Sequence, residues 1–251
     1  MRRDIDEALH GWPNNSEPGD VVAREISARD GRKVLQIRVE LGVLQMEVEG
    51  RPDGARPHGY ATFLEYLRHR ANMKSARAAD WKMSDEQSVE VDREFSQFYH
   101  RRVAWLTLQR YDKALLDADH SLELMNFVAE HSGSVEYIDS HERFRGLVLF
   151  HRTQSAAALA LERRKPEDAV DSVREGVERL ADHQRDWSAD ADRDQTPNET
   201  LIAQLRVLES EIRKNFEVEK TLGEQLDEAV ADEDYERAAR IRDQIRARAG
   251  R

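Results

Sequence analysis

Arg51, Asp53, Arg56 and His58 fall within ten residues, 50–59, that also hold three glycines and two prolines. Guanidinium groups beside unpaired backbone N–H groups suit an anion or a carboxylate from a partner. The same residues also suit a rigid connector, with Arg51 or Arg56 paired to Asp53 or to strand acids. Other chemistry is harder to assemble. The chain has no cysteine, which removes thiol catalysis, disulfides, Cys-ligated zinc and iron–sulfur clusters. His120, His131, His141 and His151 recur about every ten residues, which sets them on different helical faces, and no His-Glu-x-x-His occurs. Neither Gly-x4-Gly-Lys-Ser/Thr nor Gly-x-Gly-x-x-Gly is present. The residues therefore predict no catalytic group, no metal and no cofactor, and a non-enzymatic role.

The most specific pattern lies at the C-terminus. Leu222, Leu226 and Val230 form one apolar edge, and Asp232-Glu233-Asp234 is a helix-breaking acidic turn. Tyr235, Ala238, Ala239, Ile241 and Ile245 follow at helical spacing, with Arg242 and Asp243 beside them. This predicts an antiparallel helical hairpin. Its expected seam runs through Leu222, Leu226, Val230, Tyr235, Ala238, Ile241 and Ile245, and Tyr235 packs across the turn. Two such short helices are marginal alone, so the pattern calls for docking on the chain's own body or on a partner.

Leu226, Asp234, Tyr235, Glu236, Ala238, Ala239, Arg242, Asp243 and Ile245 closely resemble, in place, the UVR (UvrB/UvrC) motif, a Leu-rich helix, an acidic turn and Ala-Ala-x-x-Arg-Asp-x-Ile. The resemblance covers about 30 of the 251 residues. It implies a protein-interaction element, as in excision-repair proteins, ClpC-type chaperones and McsA-type regulators. It thus implies a protein partner, or a second copy of this chain, held through Leu222, Leu226, Val230, Tyr235, Ala238, Ala239, Ile241, Arg242, Asp243 and Ile245. Asp30-Gly31-Arg32, residues 41–47 and residues 50–59 are also similar to the head of UVR-motif proteins from planctomycete-type bacteria.

The elements that position these residues divide by charge. Residues 1–80 hold 13 Lys+Arg and 13 Asp+Glu, which leaves 26 against 37 for the rest and the whole net charge of −11. An acidic body argues against direct nucleic-acid contact there. No apolar run is long enough for a membrane and no secretory signal is expected, which suits a cytoplasmic protein.

A short helix is expected over 3–9 and a turn over 14–19. Alternation at Val22, Arg24 and Ile26, the Asp30-Gly31 turn, then Leu35, Ile37, Val39 and Leu41, and Leu44, Met46 and Val48 after Gly42 predict a small antiparallel sheet. One face of it, with Ile26, Leu35, Ile37, Val39 and Leu44, should pack on a helix over 60–79 that carries Phe63, Leu64 and Leu67. Exposed Gln36, Arg38, Gln45 and Glu47 offer a second protein-contact face.

From residue 84 the periodicity is helical. Tyr111-x2-Ala114-x3-Ala118-x2-Ser121 matches Pro166-x2-Ala169-x3-Val173-x2-Gly176 and resembles tetratricopeptide packing positions, although the 55-residue interval exceeds the usual ~34. An ordinary helical bundle explains the same small residues. Beyond a polar linker over 182–195, one long helix is expected from Thr196 toward residue 231, bent near Gly223.

The resulting expectation is a mostly α protein: an α+β head over 1–80, a tetratricopeptide-like helical region over 81–195, and a long helix with the UVR hairpin over 196–251. Two functional readings stand, an adaptor or scaffold tied to protein quality control, and an accessory factor of nucleotide excision repair.

Overall fold

The computed structural model describes residues 9–12, 21–39, 42–75, 81–187 and 196–249. The readings at 3–8, 14–19, Leu41, 76–79 and 188–195 lie outside them. Two compact units divide the chain, Met1–Val148 and Leu149–Arg251.

The first unit opens with β1 (Val22–Ser27), β2 (Lys33–Val39) and β3 (Gly42–Glu47), antiparallel in that order. Gly31, at φ +85°, closes the first turn where a side chain would be strained. The register pairs Glu25 with Leu35, Ile37 with Leu44, and Ile26 with Val34. Since paired residues share a face, Ile26 does not belong with Leu35 and Ile37. It shares the opposite face with Arg24 and Gln36. There Arg24 hydrogen-bonds Gln36, Gln36 bonds Gln45, and the Arg24 guanidinium stacks 3.8 Å from the Trp12 ring. Gln36 is consequently buried.

Among the described residues five α-helices begin in this unit: α1 (Phe63–Ser75), α2 (Asp85–Thr107), α3 (Tyr111–His131), α4 (Val135–Glu142) and α5 (Arg145–Glu162), the last running on into the second. Ser84 and Gln87 form the expected capping box on α2. The sheet does pack on helix, but not on α1. Leu35, Ile37 and Met46 bury against Ala104 and Trp105 of α2 and Ala114 of α3. Phe63, Leu64, Leu67 and Ala71 of α1 instead join Val91, Leu124, Phe127 and Val128. Proximity in sequence misled here. The 50–59 loop carries the chain away from the sheet, and α2 is long enough to serve both clusters.

Charged groups hold the layers together. Glu94 of α2 is fully buried and accepts the Phe63 and Leu64 N–H groups at 2.6 and 3.0 Å, so it caps α1 from another helix. His120, stacked 3.7 Å from Phe98, reaches Glu94 at 3.0 Å. Arg101 makes a two-pronged bond to Asp117, at 2.9 and 2.7 Å, and donates to the Glu47 and Gly50 carbonyls. Arg102 bonds the Ser121 hydroxyl, and its burial pulls its pKa down to about 10.

The second unit continues with α6 (Pro166–Trp187), α7 (Thr196–Phe216), α8 (Leu222–Ala231) and α9 (Tyr235–Ala249). The matched small residues sit at crossings in both units. Ala114, Ala118 and Ser121 are fully buried, as are Ala169 and Val173. A Cβ on Gly176 of α6 would lie 2.1 Å from the Thr153 hydroxyl of α5. The single long helix expected from 196 to 231 is two helices. Glu217 takes φ +53° and Thr221 starts α8 with a capping box to Glu224, so the break falls before Gly223.

One stop signal recurs. Gln109, Arg164, Glu217 and Glu233 follow the ends of α2, α5, α7 and α8 with positive φ. After all four helices the next residue's N–H reaches back to a carbonyl of the last turn: Arg110 to Trp105, Lys165 to Ala160, Val218 to Arg213, and Asp234 to Ala229. This is the Schellman closure, made here without glycine.

Candidate functional site

The C-terminal hairpin is built by α8 and α9, which pack along each other. Its seam is Leu222, Leu226 and Ala229 against Ala238, Ile241 and Ile245. Two residues expected in the seam are outside it. Val230 is 52% exposed and Tyr235 68% exposed. Ala229, fully buried, takes the place assigned to Val230. The acidic turn explains the shift. Glu233 adopts the left-handed conformation, which brings the Asp234 N–H back to the Ala229 carbonyl at 2.8 Å. The Asp234 carboxylate then accepts the Arg237 N–H and caps α9. Ala239 is half-buried. Arg242 and Asp243 are exposed and lie 3.5 Å from each other.

At the opposite end the hairpin is mounted on α6 and α7. Thr221, fully buried, donates its hydroxyl to Asp171 of α6 at 2.5 Å. Gly223 sits so close that an added Cβ would be 2.8 Å from the same carboxylate. Arg174 of α6 pairs with Asp227 at 3.1 Å, and Arg213 of α7 pairs with Glu224 at 2.6 Å. Burial raises the pKa of Asp171, against the opposing Thr221 hydrogen bond and Arg174 charge. Burial also works against the Glu224 charge, but the Thr221 N–H and the Arg213 and Arg174 guanidinium groups outweigh it and hold that carboxyl below its usual range. The mount was missed in the sequence, although Thr221-x-x-Glu224 is a readable capping box.

The hairpin offers a fixed base and a far end with two exposed apolar side chains beside three consecutive acids. Charge also differs between its two helices. α8 carries Glu224, Asp227 and Glu228, whereas α9 carries Arg237, Arg240, Arg242, Arg246 and Arg248 against Glu236 and Asp243.

In the 50–59 loop the two arginines have different fates. Arg51, 3% exposed, bonds Glu90 at 3.0 Å and pairs with Asp53 at 3.2 Å, while Gln97 accepts from its Nε. Its donors are thus committed to holding the loop on α2. Asp53 also accepts from Gln97 and from the Ala55 N–H. Arg56 and His58 are exposed. A cavity of about 590 Å³ beside the loop is lined by Arg32, Arg51 and Arg56 but also by Glu47, Glu49 and Asp53. This balance gives it no preference for an anion. Arg32 is itself paired with Asp30 and Glu47.

Among the described residues no group of three or more His, Asp or Glu is arranged to hold a metal ion. His141 is buried against Asp92 and the Tyr137 carbonyl, and half-buried His120 reaches Glu94. No described helix is long and apolar enough to cross a membrane.

Comparison with curated proteins and with solved structures finds no match. Over residues 220–247, which span α8 and all but the end of α9, the chain matches the UvrB/uvrC motif, the UVR family model.

Proposed function

We propose that this chain is a non-enzymatic interaction protein that engages a partner protein through the far end of its UVR hairpin. The observation that carries the reading is the pair Val230 and Tyr235, exposed on a hairpin whose own seam is closed and whose base is mounted elsewhere. Tyrosine at the centre of a small apolar patch is a common anchor in interfaces. Arg242 and Asp243, both exposed, would set charge register at the rim. In this reading the seam residues Leu222, Leu226, Ala238, Ile241 and Ile245 hold the shape and do not themselves meet the partner. The chain acts as an adaptor or scaffold, and we place it in protein quality control, the setting of the ClpC- and McsA-type proteins that share the motif.

A photo-crosslinker at position 235 of the full chain tests this. It should capture one defined protein, or a second copy of the chain if the hairpin pairs with itself. The same group at exposed Val207 of α7 should not. Equal capture from both positions, or none from 235, overturns the reading.

A further inference from the structure

The exposed side of the 50–59 loop continues into a set of aromatic rings on α1. His58 stacks on Tyr66 with ring centres 3.9 Å apart and planes 22° apart. Tyr60 follows at 5.9 Å from Tyr66 and 5.4 Å from His69. Tyr66, His69 and Arg70 share one face of α1 at i, i+3 and i+4. His58 and His69 are exposed, Tyr60 and Tyr66 half-buried. His58 holds its place at φ 51°, a conformation that costs a non-glycine residue energy. The strained backbone is what sets its ring on Tyr66.

Two cations accompany the rings. Among the described residues, Arg56 and Arg70 have no ion pair, and Arg70 Nε is buried with no hydrogen-bond partner. Arg68 is paired with Glu123, and the acid of this segment, Glu65, accepts the Ala61 N–H. A basic aromatic patch therefore sits on a chain whose net charge is −11. Most other described arginines of the first unit have acids or carbonyls as partners.

We propose that Arg56, His58, Tyr60, Tyr66, His69 and Arg70 form a platform for single-stranded nucleic acid. The exposed rings of His58 and His69, backed by Tyr66 and Tyr60, stack unpaired bases without regard to sequence, and the Arg56 and Arg70 guanidinium groups donate to the phosphates. A duplex hides its base faces and gains nothing from the rings. A peptide without acidic side chains gains from the rings but not from the cations. Repulsion of phosphates belongs to the acidic body, whereas residues 1–80 are neutral.

The test uses the full chain and a fluorescein-labelled 15-mer of thymidylate, read by anisotropy at 50 mM salt. His58→Gly removes the ring at a position whose φ glycine accepts freely, so the fold should survive. It should weaken binding at least fivefold with the circular dichroism unchanged. Arg56→Gln and Arg70→Gln should each reduce the slope of log K against log salt by about 0.7, the value for one phosphate contact on a single strand. The pair Val230→Ser/Tyr235→Ser should bind the strand as the parent does, which separates this platform from the hairpin. Absence of binding, equal binding by His58→Gly, or preference for a labelled decaproline peptide over the strand overturns the proposal.

Discussion

Asp171 and Glu224 face each other across the hairpin mount and titrate with opposite consequences. Burial holds the Asp171 pKa above its ordinary 3.8, so the folded state takes up its proton before the unfolded chain does. Its contribution to stability is full below pH 3.8 and is lost as pH rises through the raised value. Glu224 lies below its ordinary 4.5, so its contribution is present above that pH and is lost on acidification. Asp171→Asn keeps an acceptor for the Thr221 hydroxyl without the charge. It should raise the melting temperature by about 2 °C at pH 7 and lose that advantage toward pH 3.5. A melting series across pH checks it, and an Asn variant less stable than the parent at neutral pH would contradict the assignment.

Glu94 is the other decisive carboxylate. Its loss leaves the Phe63 and Leu64 N–H groups without an acceptor and removes a buried carboxylate 4.0 Å from Arg51, so Glu94→Ala should cost about 3–5 kcal/mol in urea unfolding. At this scale the sequence was partly legible. It offered Arg51 and Asp53 as either a binding pair or a structural one, and the structure shows them paired with each other. Glu94 was not legible, because in a chain with 50 acids nothing local marks the one that is buried.

Elements fail differently from residues. Phe63→Ala should still cost about 3–5 kcal/mol, but by opening the cluster with Leu124 and Phe127 and not by freeing the sheet. Trp105→Ala is the change that should loosen the strands, and amide exchange at β2 will distinguish the two variants. For the hairpin, Ala238→Glu forces a carboxylate into the seam and should unfold α8 and α9. Val230→Ser with Tyr235→Ser should keep full helicity and lower partner binding at least tenfold, to be read by titration once crosslinking has identified the partner. Strands, turns and most helices were legible from periodicity. The partner of the sheet was not, since alternation says which side is apolar and not which helix meets it. The register also assigned Ile26 to the opposite face from Leu35, because the Asp30-Gly31 turn sets pairing through Ser27 and Lys33 and not through the pattern of apolar residues.

At the scale of the molecule, composition and turn signals mark breaks near 80 and 195, whereas the division by packing falls at Val148 within α5. Val148 itself packs on Ala118 and Met125, so a fragment of residues 1–148 retains that contact. This fragment should unfold cooperatively in urea. Dialysis of the full chain against EDTA should leave its melting temperature unchanged, and a fall of several degrees would reveal a structural metal.

The four left-handed helix ends open a route to a hardier protein. Gln109, Arg164, Glu217 and Glu233 each hold a backbone angle that glycine adopts without steric penalty. Exchange for glycine relieves that penalty and adds back some freedom to the unfolded chain. The net gain should be a few tenths of a kcal/mol to about 1 kcal/mol at each position. The positions lie in separate turns, so their effects should nearly add. A quadruple variant should therefore survive heating several degrees beyond the parent. It would also serve as a sturdier background for the destabilising substitutions at Glu94 and Phe63, whose binding properties could then be measured on folded material.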